Sequence, residues 1–221
     1  LGGKMKPYYQ DKYATIYHGD CREILPQLPK CDLVLTDPLY GIGEAHGKNL
    51  SRGKWANPKD YGVECWDDVT VDFTLLELAI SKSTNQIIWG GNYYPLPPTS
   101  CWLVWDKENG NNDFADCELA WTSFKSAVRI FRFRWAGMLQ GDMKNKDYRY
   151  HPTQKPTALF NWVMGRYSKT TDLILDPFLG SGTTAFCAKK LNRRCIGIEI
   201  EEKYCEIAAK RLSQSVMELK I

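Results

Sequence analysis

Two short stretches, far apart in the chain, each place a carboxylate directly after a run of apolar residues. Asp37-Pro38-Leu39-Tyr40 follows Leu33-Val34-Leu35, and Asp176-Pro177-Phe178-Leu179-Gly180-Ser181-Gly182-Thr183-Thr184 follows Leu173-Ile174-Leu175. Such runs read as buried strands, and in an open α/β sheet ligands bind where the strands end. The second stretch carries Gly180 and Gly182 where a strand turns into a helix, so a ligand can approach the backbone closely. Glu199 closes the next apolar run, roughly twenty residues on, where an acidic residue can bind ribose hydroxyls. That arrangement suits an adenosine-containing cofactor; a tight turn with a surface glutamate is the plainer alternative. Ala185 stands where a third glycine would be, and the lysine of a phosphate-binding loop is lacking. The first stretch, which by itself is more often a routine turn, would as a site suit a flat ring bearing an amino group. The lone pair of such a nitrogen is delocalised into the ring, which makes it a poor nucleophile. A carboxylate and a backbone carbonyl can accept both of its N–H bonds as it pyramidalises.

These residues need a scaffold, and the pattern supplies one. Strands are expected at Ala14 to His18, Asp32 to Thr36, Gln86 to Trp89, Trp102 to Trp105 and Glu118 to Trp121. Helices are expected at Arg22 to Leu28, Phe73 to Ser81 and Leu159 to Tyr167. The last third reads as strand Asp172 to Leu175, helix Thr183 to Leu191, strand Cys195 to Ile198 and helix Glu201 to Leu212. This alternation predicts a doubly wound, mostly parallel sheet. Gly41 to about Gly62 has no regular pattern, and a loop of that length is usually functional or mobile. Val128 to Trp135 mixes Val128, Ile130, Phe131 and Phe133 with Arg129, Arg132 and Arg134, which predicts an extended segment with one basic edge.

The chain has 221 residues, 43% hydrophobic and 25% charged, with a net charge of +3. That fits one α/β domain, read here as 5–221. Met5 reads as a natural start after Leu1 to Lys4, with no secretory signal. No apolar run approaches the roughly 20 residues that cross a membrane. The charge is locally uneven. Lys125, Arg129, Arg132, Arg134, Lys144, Lys146, Arg149 and Lys155 face only Asp142 and Asp147 in the same stretch. This is either a nucleic-acid footprint or a solvated face. Trp121, Trp135 and Tyr148 are candidates for stacking on bases. The 8 cysteines form no C-x-x-C pair and no zinc spacing, so no metal is expected. Cys31, Cys101 and Cys195 read as core residues of a chain in a reducing cytoplasm.

Taken together, Asp-Pro-x-Tyr, then a basic insert, then His151-Pro152-Thr153-Gln154-Lys155-Pro156, then Asp-Pro-Phe-Leu-Gly-Ser-Gly-Thr-Thr and Gly-Ile-Glu, resemble the amino-methylating DNA methyltransferases. The order matches their permuted β group, and the resemblance spans about Tyr13 to Leu212. It implies the Rossmann-like methyltransferase fold, S-adenosylmethionine as cofactor and DNA as partner. It places Asp37, Pro38 and Tyr40 in catalysis. The Asp37 carboxylate and the Pro38 carbonyl would accept from the target amino group, and Tyr40 would stack on an extruded base, worth roughly 1–3 kcal/mol. Gly180, Ser181, Gly182 and Thr183, with Asp176 and Phe178 adjacent, would line the methionine and ribose region, and Glu199 would hold the ribose. Asp20 would accept from the cofactor adenine, beside the Cys21 amide, or else cap a helix. Gln154 and Lys155 would sit near the methionine end. His151 lacks the partners of a catalytic base and reads as structural. Arg129, Arg132, Arg134, Lys144, Lys146 and Arg149 would contact DNA from an insert at about 107–150. So short an insert implies a short recognition sequence or help from a second subunit, as in a homodimer.

Asp in the first motif position is typical of the adenine-N6 enzymes, whereas the cytosine-N4 enzymes usually carry Ser. Adenine is therefore the expected base, with cytosine-N4 as the alternative. The family's usual Asp-Pro-Pro-Tyr is Asp-Pro-Leu-Tyr here. Leu39 restores an N–H and frees φ, which leaves open a protein that binds cofactor and DNA but methylates weakly.

Overall fold

The computed structural model of the chain describes residues 5–39, 71–110, 115–136, 139–150 and 153–214. Tyr40, the loop from Gly41 to Gly62, and His151-Pro152 lie outside them.

Continuous runs of Leu, Ile and Val make the central strands, because both sheet faces are covered. These are β3 (Cys31–Thr36), β4 (Ser83–Trp89), β10 (Leu173–Asp176) and β11 (Arg194–Glu199). Around them lie β1 (Tyr9–Gln10), β2 (Ala14–His18), β5 (Leu103–Asp106), β6 (Cys117–Thr122) and β7 (Arg129–Arg132). The nine strands form one sheet in the order β1-β2-β11-β10-β3-β4-β6-β5-β7. Among the described residues, only β1 and β6 run against the rest. A small hairpin, β8 (Trp135–Ala136) with β9 (Leu139–Gln140), stands apart.

Alternate side chains of the central strands point to opposite faces, and each face is covered by helices. Leu33, Leu35 and Ile174 pack with α3 (Thr157–Tyr167), α4 (Thr183–Lys190) and α5 (Glu202–Gln214) through Leu159, Val163, Ala185, Ala188, Ala208 and Leu212. Val34, Leu175 and Ile198 pack with α1 (Cys21–Ile24) and α2 (Phe73–Ser81) through Ile24 and Ala79. This is the doubly wound, Rossmann-like architecture that the alternation predicts. Cys31, Cys101 and Cys195 are buried, and the described cysteines are all unbridged. No helix among the described residues is long and apolar enough to cross a membrane.

Three local readings change. The expected helix from Arg22 to Leu28 stops at Ile24 and continues as a 3-10 turn over Leu25–Gln27, because Pro26 cannot donate the bond an α-helix needs there. Val128 to Trp135 is extended, but it does not carry a single basic edge. Arg132 and Arg134 share the exposed face with Ile130, while Arg129 shares the half-buried face with Phe131 and Phe133. The period of two fixes this, since Arg129 differs in parity from the other two. Trp121 is buried, with its indole N–H donated to the Pro97 carbonyl at 2.7 Å, so it cannot stack on a base.

Candidate functional site

Strand order reverses between β3 and β10. From β3 the sheet proceeds outward through β4, and from β10 it proceeds the other way through β11 to β2. Asp37 and Asp176 leave the sheet side by side at this point. One cleft of about 170 Å³ is lined by Asp37, Leu39, Gln154, Lys155, the Asp176–Ser181 turn and Glu199. A second, more open cleft lies at the opposite edge, among Phe124–Ser126 and Arg166–Lys169, and contains none of the motif residues.

The glycine turn is built from both sides. Gly182 has φ +84, and a Cβ there would lie 2.6 Å from the Ala208 Cβ, so glycine permits both the left-handed turn and the approach of α5. Gly180 has φ +54, but a Cβ there would meet nothing within 4 Å, because the position borders open space. Arg211 of α5 donates to the Ser181 carbonyl at 2.6 Å and lies over the Tyr150 and Phe186 rings. Gln154 accepts from the Ser181 hydroxyl at 3.1 Å and the Tyr150 amide at 2.9 Å, and donates to the Tyr148 carbonyl at 3.0 Å. It therefore ties the glycine turn to the strap at 148–150.

Glu199 is nearly buried. Its Oε2 accepts from the Gly180 amide at 2.7 Å and its Oε1 from the Glu201 amide at 2.8 Å. Burial raises its carboxyl above the usual range, against the pull of those amides. Each oxygen retains acceptor capacity, so a fixed carboxylate lines the cleft beside the turn. Asp176 is braced differently. Thr36 donates to it at 2.8 Å, the Phe178 amide at 3.1 Å, and Thr184 through its hydroxyl. Burial, with Asp37 adding to it, lifts its carboxyl to about 6 while the donors pull it down. Asp176 thus joins β3, β10 and α4 at the reversal point.

Asp20 caps α1, accepting from the Arg22 amide at 2.8 Å, and its carboxylate pairs with the Arg22 guanidinium at 2.6 Å. The cap is therefore formed, and Arg22 holds the carboxyl below its usual value. Asp20 and Cys21 stand at the end of β2, next to Glu199, where the Gly19 amide donates to the Glu199 carbonyl at 2.9 Å.

At Asp37 the dominant neighbour is Lys155. Its buried ammonium lies 2.6 Å from Asp37 Oδ2 and 3.0 Å from Glu118 Oε2. Glu118 Oε1 in turn lies 2.6 Å from Lys107 Nζ. Burial would raise the Glu118 carboxyl, but Lys155 and Lys107 outweigh it and hold it below its usual value. The Leu39 carbonyl accepts from the Tyr94 hydroxyl and from the Val71 amide at 3.0 Å, so the backbone at Leu39 is anchored.

The basic residues are spread over the surface beyond β5. Arg132 pairs with Asp106 at 3.3 Å, and Arg134 donates to the Glu108 carbonyl at 3.2 Å. Arg129 donates to the Val128 carbonyl at 3.1 Å, and Arg149 lies over the Trp135 ring. Lys144, Lys146 and Tyr148 are exposed, whereas the Trp135 indole is tied to the Gln154 carbonyl at 3.1 Å.

Sequence reasoning missed Glu118, Lys107 and Arg211. Arg211 had a signal: with Tyr204, Ala208 and Leu212 it falls on the buried face of α5 at helical spacing. Glu118 had none, for it looks like any polar residue in a half-exposed strand.

The chain is similar to known proteins. A family model described as DNA methylase matches residues 88–210. Type II methyltransferase M.HinfI of Haemophilus influenzae is 31% identical over 95% of this chain and 71% of its own length. Type II methyltransferase M2.LlaDCHI of Lactococcus lactis subsp. cremoris is 28% identical over 95% of this chain and 93% of its own. Among solved structures, the cytosine-N4-specific PvuII DNA methyltransferase superposes with a TM-score of 0.61 at 17% identity, over 99% of this chain and 91% of its own. The complex of M1.HpyAVI with S-adenosylmethionine superposes at 0.53 and 24% identity, over 90% and 99%. At these identities the superpositions speak for the fold.

Proposed function

The chain belongs to the β-group amino DNA methyltransferases, and on that footing we propose that it methylates adenine N6 in DNA. S-adenosylmethionine is the methyl donor, and DNA is the substrate class. The observation that carries the finer reading is the position of Asp37, a carboxylate at the strand-order reversal in the same cleft as the glycine turn and Glu199.

The cleft fits such a cofactor: the open space at Gly180 and the fixed acceptors of Glu199 are what a ribose diol needs. We assign the cofactor to Gly180, Ser181, Gly182, Thr183, Phe178 and Glu199, with Asp20 and Cys21 toward the adenine and Asp176, Gln154 and Lys155 bracing the turn and the methionine end. Bound there, the donor supplies a methyl group already activated on a sulfonium, so no covalent nucleophile is required. Asp37 and the Pro38 carbonyl accept the two N–H bonds of the amino group as its nitrogen pyramidalises. The Asp37 charge stabilises the positive charge that develops there, and its carboxylate can take the proton that leaves. Tyr40 stacks on the extruded base. The anchored Leu39 carbonyl supports an active site despite the missing second proline.

Residues 5–221 read as one methyltransferase domain, with the 107–150 insert facing DNA through Arg132, Arg134, Lys144, Lys146 and Arg149 more than through Arg129. A second subunit would extend that surface. A cytoplasmic place in a bacterium, alongside DNA, follows from this substrate and fits the organisms of the relatives.

The test is incubation with methyl-labelled S-adenosylmethionine and mixed-sequence duplex DNA, followed by nucleoside digestion and mass spectrometry. N6-methyladenine is the expected product. N4-methylcytosine would reassign the base, and cofactor binding without any methyl transfer would leave a binding protein.

A further inference from the structure

Lys155, Glu118 and Lys107 are a chain of alternating charge that ends on Asp37. Its members come from distant parts of the fold: the loop after β3, the 153–156 segment, the start of β6 and the residue after β5. Lys155 is 5% exposed and Asp37 is 20% exposed, so the ammonium is desolvated while the carboxylate still faces the cleft. A buried ammonium is stabilised only by close, well-placed counter-charges, and Lys155 has one on each side. Lys107 completes the sequence and rests over the Trp105 ring.

We propose that Glu118, backed by Lys107, is a positioning residue for methyl transfer, holding the Lys155 ammonium where it orients the Asp37 carboxylate and keeps it ionised. This rests on the reading of Asp37 as acceptor for the target amino group. An ammonium paired with Asp37 alone would grip it fully and compete with the target N–H groups for its lone pairs. Glu118 draws part of that grip away. Without the ammonium, Asp37 would face, among the described residues, Glu118 beyond it, buried Asp176 from β10, and the Tyr94 phenol from the turn after β4, whose hydroxyl is committed to the Leu39 carbonyl. Those carboxylates would favour a protonated Asp37, which cannot accept both bonds.

The two ends of the chain therefore fail in different ways, and the difference is measurable. Single-turnover methylation of mixed-sequence duplex DNA, at saturating S-adenosylmethionine, is followed between about pH 5.5 and 9, a range wide enough to expose a raised carboxylate. The proteins are wild type, Asp37→Asn, Lys155→Met, Lys155→Arg, Glu118→Gln, Lys107→Met and the double variant Lys155→Met/Glu118→Gln. Cofactor affinity is measured for each by calorimetry without DNA, which also reports that the variant is folded.

Lys155→Met should bring in an acid limb shifted upward by about one pH unit or more, a tenfold rate loss at the low end, with partial rescue by Arg. Glu118→Gln should lower the plateau several-fold without raising that limb, and Lys107→Met should do so more weakly. In the Lys155→Met background the sign reverses: removing the Glu118 charge should move the acid limb back down and recover rate at low pH. Cofactor affinity should stay within about threefold in Glu118→Gln and Lys107→Met, whose side chains do not line the cleft, while any loss in the Lys155 variants, at the methionine end, is offset by working at saturating donor. Parallel pH profiles in all the variants, or additive losses in the double variant, would overturn the positioning role while the inactivity of Asp37→Asn kept the catalytic reading. Full activity in Asp37→Asn would overturn that reading itself.

Discussion

At the residue scale, the same side chain type serves different ends according to burial. Glu199 is held by two amides with capacity left for a ligand, whereas Asp176 spends its acceptors on Thr36, Thr184 and Phe178. Glu199→Ala should therefore weaken S-adenosylmethionine binding at least tenfold, read by calorimetry, with a smaller effect on stability; loss of a charge-assisted acceptor is worth about 1.5–3 kcal/mol. Asp176 instead shapes stability. Its folded carboxyl, near 6, lies above its unfolded value, so the folded state holds the proton longer, and stability falls as pH rises from about 4 to 6. The difference is on the order of 3 kcal/mol. Urea denaturation at several pH values should show this contribution as the difference between wild type and Asp176→Asn, which grows as pH rises from about 4 to 6. Glu118 acts in the opposite sense: its lowered carboxyl adds stability above its unfolded value, and that contribution is lost as pH falls. The same pH dependence in wild type and Asp176→Asn would contradict this role for Asp176.

At the element scale, the turn between β10 and α4 separates two jobs of glycine. Gly180→Ala adds a methyl that meets no neighbour, so it should cost only about 1 kcal/mol for the left-handed backbone, yet it should impair cofactor binding by projecting into the cleft. Gly182→Ala pushes a methyl into α5 at Ala208 and should cost considerably more, lowering the denaturant midpoint before any ligand is considered. Equal melting of the two variants would refute this division. The unit from β10 to α5 was legible in the sequence, because continuous apolar runs, a glycine turn and helical spacing occur there in direct succession. The far side of the sheet was less so. Glu118 to Trp121 was recognisable as a strand, but nothing local reveals that β6 inserts antiparallel between β4 and β5. That order is decided by which edges remain unpaired in three dimensions. The same limit hid Glu118: its partner Lys155 is distant in the chain, and only the sheet brings them together. One basic edge was expected of Arg129, Arg132 and Arg134 together, and it fails on parity, which sets Arg129 on the half-buried face and the other two on the exposed one.

At the scale of the whole molecule, a net charge of +3 gives little general attraction to DNA, so affinity must come from a local surface. The exposed Lys144 and Lys146, beside Tyr148, are the least committed cations there, while Arg132 and Arg134 are partly engaged by Asp106 and Glu108. Lys144→Ala/Lys146→Ala should weaken binding and reduce the salt slope by about 0.9 for each phosphate no longer neutralised, whereas Arg129→Ala should change it less. Fluorescence anisotropy across a salt series reads both. An unchanged slope in the double variant would return this face to plain solvation.

The strand order has a consequence for how the molecule comes into being. β1 and β2 lie on one side, and β3 and β4 on the other, but they meet only through β10 and β11, which follow all the other strands of the sheet in the chain. A nascent chain thus carries two separated fragments, each with an unpaired edge, until β10 and β11 leave the ribosome and wedge between them. Closure depends on pairing between residues such as Leu33 and Ile174, far apart in sequence, and so should be slow. Asp37 and the glycine turn share one cleft only after that step, so a chain released before β11 lacks the assembled cleft altogether.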